Sequence, residues 1–218
     1  MGPATATMVL QAVSDDIPFM SDEAMLQVYN GDKTKLKYDL KTCEVFINKI
    51  DEVVKQSKHV ELTEGRVVAL DEHHEMINCG WTTPTPWNTH REESEDQLRQ
   101  RIQVMVDQLK DVKNSVFQLH DPPYGSGLDE APELTKDLRP AFAGRSLVPV
   151  GSHAVLEMIE RYQPVLSLHG HVHEGKGTRI YKRTLCINPG SMYEQGMLHG
   201  AVVELKPNKV GTYILTTG

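Results

Sequence analysis

Two short apolar runs, residues 115–119 and 165–168, are each followed directly by a histidine. Between them the residues Ala154, Val155, Met158, Ile159 and Tyr162 recur at helical spacing over 152–162. Strand, crossover helix and strand in that order form a βαβ unit, whose right-handed crossover makes the two strands parallel. Gly151 and Ser152 supply the cap region of the helix and Pro164 stops it. Both strand ends then face one edge of a sheet. His120 follows the first strand, and His169, His171 and His173 follow the second, so topology brings together residues that are far apart in the chain. The carboxyl edge of an open α/β sheet is where such folds bind ligands.

Imidazole is a good ligand for zinc, iron, nickel or copper. Residues i and i+2 on extended backbone project to one side, about 7 Å apart at a rise of ~3.3 Å per residue. Such a pair can serve one ion or two neighbouring ones. The glycine at 170 permits close backbone approach or an unusual dihedral where the strand gives way to a loop. The competing reading is three solvent-facing loop histidines; His120 tips the balance to a metal site. Between His120 and the helix lies a long excursion, 121–151, that contains Pro122, Pro123, Pro132, Pro140 and Pro149. Connections beyond about 12 to 15 residues are usually functional or disordered. The prolines and the turn at Tyr124-Gly125-Ser126-Gly127 favour a shaped lid.

The chain has 218 residues, room for one domain of two packed layers or two small ones. With 39% hydrophobic and 24% charged residues, a folded core is expected. The net charge of −7 provides no basic field, which disfavours general nucleic-acid or anionic-membrane binding and points to a small ligand or a charge offset by metal. Cys43, Cys79 and Cys186 are odd in number and widely spaced, as suits reduced packing residues in a cytoplasmic protein. Residues 1–13 make a poor signal peptide, and no stretch reaches the roughly 18 apolar residues of a membrane span.

Helical spacing also appears over 21–29 and over 42–56, the latter through Val45, Phe46, Ile50, Val53 and Val54. Runs 66–70 and 76–79 predict a hairpin around the turn Asp71-Glu72-His73-His74. The prolines between Trp81 and Trp87 exclude helix and predict a rigid, exposed loop. Leu98, Ile102, Met105, Leu109 and Val112 predict a helix, with Glu92, Glu93, Glu95 and Asp96 at the start where carboxylates suit the dipole. The tail predicts strands at 179–181, 185–188, 201–205 and 211–216, the last pair turned at Pro207-Asn208.

Four separated motifs carry a resemblance: HDPPYGSGLD at 120–129, GSHAV at 151–155, QPVLSLHGHVHE at 163–174 and NPGS at 188–191. Together, and in this order, they resemble the C-terminal half of calcineurin-like metallophosphoesterases. The loop Thr82-Thr83-Pro84-Thr85-Pro86-Trp87 and the hairpin before it are similar to the middle of that family, so the resemblance runs from about Asp15 to the C-terminus. It implies an α/β fold, a sandwich of β-sheets flanked by helices, over 13–218, with 1–12 a segment foreign to the family. It also implies hydrolysis of small phosphomonoesters or phosphodiesters at one or two divalent ions (Mn, Zn or Fe). His120 and His171 would ligate one ion and His173 the other, with His169 a bystander. In-line attack on phosphorus would be aided by ions roughly 3.5 to 4 Å apart. Metals rather than lysines would then attract the phosphate, which suits an acidic chain.

The family's opening motifs, D-x-H and G-D-x-x-D, are not found. Gly31-Asp32-Lys33-Thr34-Lys35 fails at its last position, and Asp71-Glu72-His73 fits D-x-H by letters but falls in the predicted hairpin turn. Val13-Ser14-Asp15-Asp16-Ile17-Pro18 resembles the third motif, with Ser14 for a metal-binding asparagine and Asp15 where other members place a general-acid histidine. Asp121, Asp16 and Glu174 are further carboxylates, none singled out by spacing as a bridge. The N-terminal strands of the first sheet are expected to be missing, leaving an exposed sheet edge open to self-association. Two readings follow: a phosphoesterase whose remaining ligands are lost from this chain, or a pseudoenzyme or metal-binding interaction module of the same fold. An unrelated HxH amidohydrolase fits worse, since only His199 follows the motif.

Overall fold

The computed structural model describes Glu52, Gln56 and residues 61–89, 91–192 and 195–218. In chain order its elements are β1 (Val67–Ala69), β2 (Glu75–Cys79), α1 (Glu95–Val106), β3 (Val116–Leu119), β4 (Glu130–Pro132), β5 (Leu147–Pro149), α2 (His153–Tyr162), β6 (Leu166–Leu168), β7 (Gly177–Tyr181), β8 (Thr184–Asn188), β9 (His199–Lys206) and β10 (Lys209–Thr217). The residues from Thr63 to Gly218 form one unit. The expected helix at 21–29, Cys43 and the motif around Asp15 and Asp16 lie outside the described residues. Of the expected helix 42–56 only Glu52 and Gln56 are described, and both are helical.

A six-stranded sheet runs in the order β1-β2-β3-β6-β8-β7. Strands β2, β3, β6 and β8 are parallel. The outer strands β1 and β7 return antiparallel as hairpins. Pairing Gln118 with Leu168 makes β3 and β6 end level, as the βαβ order requires.

Side chains alternate between faces along each strand. Ile77, Cys79, Phe117, Leu119 and Cys186 pack with Leu98, Ile102 and Met105 of α1 and with Val155, Met158 and Ile159 of α2. On the opposite face Val116, Leu166, Leu185 and Ile187 meet Ala201, Val203, Leu205, Val210 and Leu215 from the separate β9–β10 hairpin. The central strands are therefore buried on both faces, and the architecture is mixed α/β. Burying each large aliphatic or aromatic side chain contributes roughly 1.5–3 kcal/mol. Both described cysteines are free and buried, and burial pushes each thiol up to about 12, so they pack rather than react.

Helix α1 stops at Val106, short of the expected Leu109 and Val112. A tight turn and a 3-10 segment at Val112–Asn114 take over, yet Leu109 and Val112 still pack on the same core. Apolar spacing outlasted the helix because the turn delivers those residues to the same surface. At its start, Ser94 and Gln97 form a reciprocal capping box, worth about 1 kcal/mol. The Asp71-Glu72-His73 turn is the expected hairpin turn. Asp71 accepts from the His73 and His74 amides at 2.7 and 2.8 Å, and the buried His74 ring reaches the Lys206 carbonyl at 3.3 Å. It is a turn lock that ties the first hairpin to the last one.

Candidate functional site

The ladder continues past the strand ends. The His120 amide donates to the Cys79 carbonyl at 2.9 Å, the His169 amide to Ile187 at 2.8 Å and the Gly170 amide to His120 at 3.0 Å. This brings the His120 and His171 rings to 5.1 Å between centroids, inclined at 68°. The convergence expected from the parallel strands is thus present for this pair.

The loop conformation differs from the extended one expected for 169–173. His171 itself takes the left-handed region at φ 61°, and the Val172 amide turns back to the Gly170 carbonyl at 2.6 Å. Gly170 has no such dihedral, and a Cβ there would meet the His120 ring at 3.7 Å, an ordinary contact. A left-handed backbone on a non-glycine residue is costly and is held here by the surrounding contacts. His173 lies near enough to His120 and His171 to oppose the protonation of both rings, whereas His169 makes separate contacts. His169 is buried, with Nδ1 donating between the Leu119 and Asp121 carbonyls at 3.1 and 2.8 Å, while its Nε2 has no hydrogen-bond partner. His173 is half-buried, and its carbonyl accepts from the Ser191 amide at 3.0 Å. The side-chain amide of Asn188 pins the loop, reaching the Gly170, Val172 and Leu128 carbonyls at 3.2, 2.9 and 3.1 Å.

Asp121, fully buried, stands beside this pair. Its Oδ2 accepts from the Thr83 amide at 2.8 Å and the Thr83 hydroxyl at 3.0 Å. Its Oδ1 has no hydrogen-bond partner and lies 3.7 Å from His171 Nε2. Thr82 Oγ1 approaches the same nitrogen at 3.4 Å. Thr82 is buried, against the exposure expected for this loop, because β2 runs parallel to β3 and delivers the following residues to the same sheet edge. Burial holds the imidazoles neutral: His120 falls to about 3, helped by the nearby His171, and His171 shifts down despite the opposing pull of Asp121. Burial likewise raises the Asp121 carboxyl, against the pull of His171 and Thr83.

Two loops frame the site. Thr82 pairs with Arg91 and Glu93 through backbone bonds of 3.0 and 2.9 Å, and Trp87 at the tip is exposed. Burial opposes the charge on Glu92, but hydrogen bonds from Thr85 and Thr89 hold its carboxyl down to about 2. The excursion after His120 is shaped as expected. Asp129, buried, accepts from Gly125, Ser126, Gly127 and Gly151, and β4 pairs with β5. Gly151 makes this possible, since a Cβ there would sit 2.5 Å from the Pro122 carbonyl oxygen. Tyr124 stacks on His153 with centroids 3.9 Å apart.

Among the described residues, no group of three His, Cys, Asp or Glu side chains is already arranged to hold a metal ion. The donors that do converge suit one: His120 and His171 are kept neutral, and Asp121 Oδ1 is buried without a partner. Asp15 lies outside the described residues, and Glu174 is exposed. Sequence spacing had not distinguished Asp121 from the other carboxylates. Its place directly after a site histidine was the only available sign.

No family model matches the chain. It is similar to the uncharacterized protein MJ1162 of Methanocaldococcus jannaschii, 26% identical over 140 residues, which are 63% of this chain and 58% of that protein. The chain thus spans under two thirds of the curated relative. Among solved structures, TT1561 of Thermus thermophilus aligns with a TM-score of 0.50 at 16% identity, covering 94% of this chain and 83% of that one. A second solved chain aligns at 0.50 and 17% identity, covering 82% and 66%. At these identities the likeness is one of fold alone. No helix among the described residues is long and apolar enough to cross a membrane.

Proposed function

We propose that the chain is a calcineurin-like metallophosphoesterase that hydrolyses small phosphomonoesters or phosphodiesters at a divalent metal centre. The observation that carries this reading is the meeting of His120 and His171 at the carboxyl ends of parallel β3 and β6. The four sequence motifs point the same way by resemblance.

His120, His171 and His173 would hold Mn, Zn or Fe. When bound, the metal offsets charge on the phosphoryl oxygens and polarises phosphorus for attack. The chain's own residues keep the imidazoles unprotonated by burial and fix the loop that bears His171 through Asn188. Trp87 and Tyr124 sit on the two loops that follow β2 and β3. Asp15 would act as general acid by the same resemblance.

A second reading, a metal-binding interaction module without turnover, is favoured by the lack of a three-donor group among the described residues. Hydrolysis of p-nitrophenyl phosphate and bis-p-nitrophenyl phosphate by the full chain with added manganese separates the two. The first reading expects metal-dependent turnover that is abolished by chelation and by His171→Ala. Metal uptake with no turnover would leave the second.

A further inference from the structure

We infer that Arg91 is an anion-binding residue at the rim of the histidine site, its guanidinium placed to take oxygens of a substrate phosphate group. The inference deepens the phosphoesterase reading and rests on it for the source of the anion.

Strand register places the group. Cys79 at the end of β2 pairs with Leu119 at the end of β3, and both face the core under α1 and α2. Side chains alternate along a strand, so the next residues, Gly80 and His120, turn to the opposite face. The ladder continues there, with the His120 amide donating to the Cys79 carbonyl. Gly80 has no side chain, and the space a Cβ would need is taken: such an atom would lie 3.1 Å from Arg91 Nη1 and 2.8 Å from Glu64 Oε2. The guanidinium therefore sits beside the backbone of β2, on the face to which β3 presents His120, and neighbouring strands lie about 4.8 Å apart. Burial chiefly keeps His120 neutral, and the charge of Arg91 acts in the same direction.

The donors of this fork are unspent among the described residues. Arg91 approaches Glu64 Oε2 only to 3.6 Å, an ion pair without a hydrogen bond, and its side chain is 41% exposed. Glu64 Oε2 instead accepts from the Gly80 amide at 2.9 Å. By contrast, Arg101 spends its donors on Glu93, and Arg99 on Asp96 and Glu157. The backbone of Arg91 is held beside the site, since its carbonyl accepts from the Thr82 amide at 3.0 Å and Thr82 Oγ1 lies 3.4 Å from His171 Nε2. A planar fork of five N–H donors matches the oxygens of a phosphate group. In a chain of net charge −7, it also offsets carboxylates such as Glu64 that would repel an incoming anion.

The experiment is titration of the metal-free full chain with inorganic phosphate, followed by phosphorus-31 NMR, beside manganese-dependent hydrolysis of p-nitrophenyl phosphate. Wild type is expected to bind phosphate without metal, and Arg91→Gln to bind it about tenfold more weakly, as loss of a charged hydrogen-bond donor implies. Arg91→Lys keeps the charge without the fork and should fall between the two. Glu64→Gln, whose amide oxygen can still accept from Gly80, removes the competing carboxylate and should tighten binding. A merely structural ion pair would instead weaken binding in both Arg91→Gln and Glu64→Gln. No phosphate binding by wild type, a folded Arg91→Gln with unchanged affinity, or weaker binding by Glu64→Gln would overturn the inference. Should Arg91→Gln fail to fold, Arg91→Lys and Glu64→Gln still decide. Arg91-dependent phosphate binding without metal-dependent turnover would contradict the phosphoesterase reading alone. Turnover with unchanged phosphate affinity in Arg91→Gln would contradict the role of Arg91 alone.

Discussion

Glu92 shows how single residues hold the site edge. Its carboxylate accepts from the amides of Thr85 and Thr89 at 2.9 and 2.7 Å and from both hydroxyls, closing the loop that carries Thr82 and Thr83 to the histidines. Its folded value of about 2 lies below the ordinary glutamate value of roughly 4.3. The stabilisation is therefore fully present above the ordinary value and is lost as pH falls through the folded one. The thermal midpoint of wild type should decline between about pH 4.3 and 2. Glu92→Gln should start lower at pH 7, decline less over that window and converge with wild type at its acid end. Parallel curves for the two proteins would show that Glu92 does not hold the loop.

At the scale of elements, the helices are fixed to one another as well as to the sheet. Glu95, in the first turn of α1, caps α2. Its carboxylate accepts from the Ser152 hydroxyl at 2.7 Å and from the His153 and Ala154 amides at 2.9 and 2.8 Å. An N-terminal cap of this type is worth typically ~1 kcal/mol. Glu95→Ala should lower global stability by about that amount and speed hydrogen exchange at the 153 and 154 amides. Because Pro123 bridges to Ser152, the loosening should extend into the excursion after His120. Unchanged exchange at those amides would show that α2 is capped by Ser152 alone.

For the whole molecule, the pairing of His120 with His171 could be read before any coordinates, because it follows from strand order and helix spacing, which are local patterns. The strands of the tail and the first hairpin were legible for the same reason. Thr82 and Asp121 were not, since their roles depend on which residues three separate loops bring to one point, and Thr82 looked like part of an exposed proline loop. The 169–173 loop departs from the expected extended form because alternation on extended backbone gives no warning that His171 adopts a left-handed turn. In the proposed function, two parallel strands deliver His120 and His171 to one metal ion. The most direct test is a zinc-binding isotherm of the full chain beside His120→Ala and His171→Ala, with folding checked by circular dichroism. Wild type is expected to bind at least one ion, with each variant folded but at least about tenfold weaker. Wild-type affinity in either folded variant, or no binding by wild type, would contradict it.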